Sequence, residues 1–202
     1  MALDDQNDEP AFMRTRLVAY PLLAVFFVSE RLLRQGDEAR SLDVSAMDKG
    51  TTRLVGAAYA VAINAGLVVP ALCRSGPGRI SNPHLPKVGL ALMVLGLRLK
   101  WWAMQTLGRF YTRTLRTAPD QRVVDSGPYR YVRHPGYLGA VAMWIGFSLS
   151  TRNWLALLGI TSTMLVAYTW RISAEESMLV QTIGAPYAAY QRRTARLFPG
   201  AY

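Results

Sequence analysis

The chain has 202 residues, and its 51% hydrophobic content is bunched into blocks, which points to membrane insertion rather than a single soluble core. Its formal charge of +10 falls mainly between those blocks instead of along one polar face, so it reads as membrane topology and argues against a nucleic-acid surface. The lone cysteine, Cys73, excludes an intrachain disulfide and cannot by itself build a zinc site, so a packing role and no metal are expected.

The N-terminal stretch "MALDDQNDEP" is acidic and lacks the positive region of a cleavable signal peptide, so the first apolar block is expected to stay in the protein. That block runs from Leu17 to Leu33, with Arg14 and Arg16 before it and Arg31 and Arg34 after it, and predicts a first span that tolerates Pro21 near its start. The second block, Leu54 to Cys73, has roughly the ~20 apolar residues that match a ~30 Å hydrocarbon slab. The third, Val88 to Leu107, includes Arg98 and Lys100, with Trp101 and Trp102 behind them as an interface anchor.

The fourth and fifth blocks, Tyr137 to Ser150 and Trp154 to Trp170, are separated only by "TRN" and predict a tight helical hairpin. At ~1.5 Å per residue the first arm is only ~21 Å long, which implies a protein-buried or locally thinned position. Between blocks three and four lies the polar segment from Gly108 to Pro135, which holds Arg109, Arg113, Arg116, Arg122, Arg130 and Arg133. The positive-inside tendency makes this segment cytosolic. Alternation then gives five spans, with the N-terminus outside and both the 34–53 loop and the C-terminal tail inside. The expected fold is an all-α integral membrane protein of one domain, with N-terminal spans at 11–107 and a functional half at 108–202.

The stretch "GPYRYVRHPGYLG", residues 127–139, sets arginines and a histidine at the start of an apolar helix. Pro135 suits the first helical position, because its missing N–H would have no partner there. The N-terminal N–H groups then sit beside Arg130, Arg133 and His134, which suits an anion such as a carboxylate, and Gly136 and Gly139 leave room for close approach. A plain topology anchor is the competing reading. At the foot of the fifth block, Arg171 and Glu175 share a helix face and Glu176 is rotated onto an adjoining one. They read either as a solvated helix end with an ion pair or as a polar pocket facing His134, since the hairpin brings the two feet together.

Taken jointly, "VVDSGPYRYVRHPGYLG" and "RISAEESMLVQTIGAPYAAYQRRTARLFP" resemble the catalytic half of the isoprenylcysteine carboxyl methyltransferase family, integral membrane enzymes related to phospholipid methyltransferases. The resemblance covers roughly residues 105–199 and implies an S-adenosylmethionine-dependent methyltransferase with its cofactor at the cytosolic membrane face. By that resemblance Tyr131, Arg133, His134, Pro135, Tyr137, Leu138 and Gly139 match a first cofactor motif and Glu175 and Glu176 a second. Tyr187, Tyr190 and Arg192 would cover the cofactor, while Arg171 and Glu175 stand nearest the transferred methyl group. It further implies a lipophilic acceptor entering from the bilayer, such as a prenylcysteine carboxylate or a lipid phenol, and membrane lipids as neighbours. Alternatives are an amine or phospholipid acceptor, an NADPH-dependent sterol-type reductase, and a non-enzymatic lipid-binding scaffold. Arg98 and Lys100 are read as snorkelling to the cytosolic interface, with Arg98 lining the acceptor cavity as the alternative.

Overall fold

The computed structural model describes residues 5–32, 46–73, 78–112 and 114–198. Among these residues every regular element is helical: α1 (Asp5–Leu32), α2 (Thr51–Leu72), α3 (Leu85–Leu107), α4 (Pro135–Ser150), α5 (Trp154–Ile183) and α6 (Ala185–Arg193). Short 3-10 turns stand at Ala46–Asp48, Gly108–Phe110 and Gly127–Arg130. A helix therefore lies over each of the five apolar blocks, and the all-α expectation holds. Most of the 34–53 loop, with Arg34, falls outside the described residues, as does Arg113.

Local chemistry sets where the helices begin. Pro135 occupies the opening of α4 and leaves His134 as its N-cap. The side chain of Asn153 accepts the backbone N–H groups of Leu155 and Ala156 at 2.9 and 3.1 Å, which caps α5 and closes the three-residue hairpin after Ser150. Asp48 does the same for α2, accepting the Thr52 N–H at 3.1 Å and the Thr51 and Thr52 hydroxyls at 3.0 and 2.7 Å.

Among the described residues two helices, α2 and α5, are long and apolar enough to cross a membrane by length and composition. With 16 residues, α4 is too short for that, at roughly 24 Å. It is instead sheathed by protein, packing against α3, α5 and α1. Trp144 and Phe147 of α4 are fully buried together with Phe26 of α1, Met93 of α3 and Ile160 of α5. Tyr59 of α2 stacks on Trp144 at 5.5 Å between ring centroids, and Phe26 and Phe27 meet Tyr59 edge-on.

The α3–α4 contact is unusually close because glycines face glycines. A methyl group added at Gly139 would stand 2.5 Å from the Gly96 carbonyl oxygen, and one at Gly89 would stand 2.5 Å from that of Gly146. Only a residue without Cβ permits such backbone approach. This contact fixes the depth of α4 relative to α3, and hence the place of its N-terminus.

The third block departs from expectation at one residue. Arg98 is exposed and does not line the cavity, but Lys100 is 4% exposed and turned into the bundle. Two residues are roughly 200° on a helix, so the two cations take opposite sides. Lys100 finds Glu30 of α1 at 2.5 Å, a partner that the sequence did not reveal.

Candidate active site

The antiparallel α4–α5 hairpin brings the start of α4 against the far end of α5, and the two motifs meet. Glu176, 5% exposed, is the hub. Its Oε1 accepts from Arg133 Nε at 2.8 Å and pairs with His134 Nε2 at 3.0 Å, while its Oε2 accepts from Arg196 at 2.6 and 3.1 Å. A buried carboxylate is costly unless paired and fully hydrogen-bonded, and here both oxygens are served.

The C-terminal segment is stitched onto this hub. The Arg133 and His134 N–H groups donate to the carbonyls of Ala195 at 2.8 Å and Arg196 at 3.2 Å, and the Arg133 guanidinium also reaches the Gln191 and Thr194 carbonyls. From α6, which follows Gly184 at φ 72°, the Tyr190 hydroxyl donates to the Tyr129 carbonyl at 2.6 Å. Burial pushes the phenols of Tyr187 and Tyr190 above their ordinary range, and for Tyr187 the Glu175 and Glu176 carboxylates add to the rise, so both stay neutral hydrogen-bond donors.

One residue earlier, Glu175 faces another way. It accepts the Tyr137 hydroxyl at 2.7 Å, and that same hydroxyl oxygen accepts Arg171 Nε at 3.3 Å. The Arg171 guanidinium is held from behind by Asp48 at 2.9 Å and by the Thr51 and Thr52 hydroxyls at 3.1 and 2.6 Å. Burial raises the Asp48 carboxyl, but the Thr52 and Thr51 hydrogen bonds and the Arg171 charge outweigh it and hold the group below its usual value, so it is ionised at neutral pH. The outcome is a row of Arg171, Tyr137 and Glu175, braced through the start of α2.

Both groups border a cavity of about 900 Å³. Of the residues singled out by sequence, Arg133, His134, Tyr137, Arg171, Glu175, Tyr187 and Tyr190 line it, and Glu176 stands directly behind Arg133 and His134. Tyr131 is 64% exposed and outside the lining. Pro135 and Leu138 belong to the helix start without reaching the cavity, and Gly139 faces the α3 backbone. The cavity also takes Lys100, which the sequence had assigned to the interface, and residues that the sequence left unmarked: Glu30, Tyr111 and the Tyr59–Tyr168 hydroxyl pair, 3.1 Å apart. Asp48, behind Arg171, is the other omission. Charge inside an apolar block was the signal available for Lys100; Asp48, in a polar connection, gave none.

Among the described residues the fold is an all-helical bundle with two helices long and apolar enough to cross a membrane and a cavity walled by both charged and apolar side chains. The arrangement is similar to the solved structure of the eukaryotic intramembrane Ras methyltransferase ICMT (isoprenylcysteine carboxyl methyltransferase), with a TM-score of 0.66 at 22% identity, covering 96% of this chain and 70% of that one. Residues 89–181 of this chain match the model of the isoprenylcysteine carboxyl methyltransferase (ICMT) family. Among its relatives are a probable protein-S-isoprenylcysteine O-methyltransferase of Oryza sativa subsp. indica, 30% identical over 52% of this chain and 56% of the relative, and the protein-S-isoprenylcysteine O-methyltransferase of Dictyostelium discoideum, 31% identical over 57% and 49%. The enzyme of that name from Saccharomyces cerevisiae is 31% identical over 52% of this chain and 45% of its own. The matched region spans about half the length of these curated relatives.

Proposed function

We propose that the protein transfers a methyl group from S-adenosylmethionine to the carboxylate of a lipophilic acceptor of the prenylcysteine type, at the cytosolic face of the membrane. The observation that carries this reading is the Arg171–Tyr137–Glu175 row, set on the wall of the same cavity that Arg133 and His134 border. The names of the relatives agree with it.

The residues present fit the cofactor. A cavity of about 900 Å³ is in the ordinary range for small-molecule sites, which are commonly ~300 to 1,000 Å³. Tyr129, Tyr187 and Tyr190 offer aromatic surface for an adenine, and the arginines at 116, 122 and 133 offer cations to a carboxylate. When bound, S-adenosylmethionine supplies an electrophilic methyl group on a positively charged sulfur.

The chain's own part is alignment. Arg171, kept in place by Asp48, Thr51 and Thr52, orients the acceptor carboxylate, and Tyr137 fixes Glu175 beside it. A carboxylate carries no proton that must leave before attack, so Glu175, already accepting the Tyr137 hydroxyl, is not required as a base. Effective molarity, not covalent catalysis, supplies the acceleration. Opposite charges neutralise toward the transition state, so apolar walls need not oppose the step.

The test pairs binding with turnover. S-adenosylhomocysteine should raise the thermal unfolding temperature of the detergent-solubilised protein and NADPH should not, because only a ligand bound to the folded form stabilises it. With radiolabelled methyl donor, a prenylcysteine analogue should be methylated in preference to a long-chain phenol or an amino lipid. Stabilisation by NADPH alone would overturn the methyltransferase reading, and transfer to the amine alone would overturn the carboxylate.

A further inference from the structure

One polar group in the cavity has no part in the chemistry above. Lys100 of α3 is buried in a helix that is apolar for most of its length, and its ammonium lies 2.5 Å from Glu30 Oε1 and 2.8 Å from the Tyr111 hydroxyl. The Tyr111 hydroxyl in turn donates to Glu30 at 3.1 Å. The rings of Phe26 and Tyr111 flank the same ammonium at 5.1 and 5.5 Å from their centroids. The three polar residues come from α1, α3 and the connection after α3, and all of them line the cavity.

As a mere fastener between α1 and α3 this arrangement would be a poor choice. Replacing a buried ion pair by apolar side chains of similar volume is often neutral or stabilising, and charge within apolar spans is expensive enough to mark function. The charge of the ammonium is met by the Glu30 carboxylate, so Lys100 does not call for an anionic ligand. An ammonium, however, has three N–H donors, and Glu30 and Tyr111 take two of them. The capacity left over on the cavity wall suits an uncharged oxygen.

We propose that Lys100, set by Glu30 and Tyr111, is a specificity-determining site that takes a neutral carbonyl oxygen, of the amide or ester class, on the non-reacting part of the acceptor. The acceptor is then an amphiphile with a polar group within its body, not a carboxylate on an uninterrupted hydrocarbon chain. This rests on the acceptor reading above, but it is testable by binding alone.

The probes are a series of amphiphilic carboxylates of equal length, each with one amide at a different distance from the carboxyl group, beside the all-methylene parent. For the wild-type protein in detergent, affinity should peak at one amide position, about tenfold above the parent, as expected for a hydrogen bond to a charged group. Affinity independent of amide position would overturn the proposal without any variant being made. In Glu30→Gln/Lys100→Met, which removes both charges together, the peak should vanish while S-adenosylhomocysteine affinity stays within about twofold. Lys100→Arg should retain a peak. Persistence of the peak in the double variant would also overturn the assignment. Loss of S-adenosylhomocysteine binding in the wild type, with the amide peak intact, would sink the methyltransferase reading and leave this site standing.

Discussion

Glu175 and Glu176 are neighbours in sequence with different tasks, because adjacent positions on a helix are rotated by ~100°. Glu176 is enclosed by Arg133, His134 and Arg196, while Glu175 reaches only the Tyr137 hydroxyl at the cavity wall. Substitution should therefore separate them. Glu175→Gln is expected to lower turnover at least about tenfold with S-adenosylhomocysteine affinity within about twofold, since it alters a group beside the reacting atoms. Glu176→Gln is expected to weaken S-adenosylhomocysteine at least about tenfold, because a neutral amide cannot hold Arg133, Arg196 and His134 together as the carboxylate does and the walls formed by Arg133 and His134 loosen. Ligand titration followed by initial-rate measurement distinguishes the two, and equal losses of affinity in both variants would defeat the division of labour.

Among the elements, the α3–α4 pair decides where the site sits. Gly139→Ala should cost about 1 to 3 kcal/mol, the usual range for overpacking, because its methyl group has only the Gly96 carbonyl and the Lys100 backbone to push against. Thermal unfolding should fall by several degrees while the folded fraction keeps its S-adenosylhomocysteine affinity; a variant of unaltered stability but reduced affinity would restore Gly139 to the cofactor. That residue also shows what sequence could convey. A glycine next to a histidine–proline start signals close approach, but not whether ligand or helix approaches. The five apolar blocks, the hairpin joined by "TRN" and the Pro135 helix start were legible because each rests on local periodicity or a single backbone preference. The meeting of His134 with Glu176 was legible too, since a short hairpin leaves its feet together. Glu30 with Lys100 and Asp48 with Arg171 were not, because each pair joins segments far apart in the chain, and only the packing of whole helices sets their register.

For the whole molecule, the proposed orientation puts the arginine-rich connection and the C-terminal tail on one side of the membrane. Cysteines introduced at Pro119 and at Arg192, with Cys73 replaced by serine, should react with an impermeant thiol reagent only after the cytosolic face is opened; labelling of either from the outside would invert the topology. Both sit at one end of a bundle whose longest member is α5. Its 30 residues make a rod of roughly 45 Å against a hydrocarbon layer of ~30 Å, so Glu175 and Glu176 are carried out on a continuation of the span and Arg171 stands at its edge, with no loop between. The height and heading of the chemistry are thus counted off in residues from Asn153. A single-residue deletion between Trp154 and Trp170 is accordingly a reading-frame error in three dimensions. Everything beyond it drops by ~1.5 Å and turns by ~100°. Glu176 would then come round to face the cavity where Glu175 had stood, and Ser177 would be presented to Arg133, His134 and Arg196.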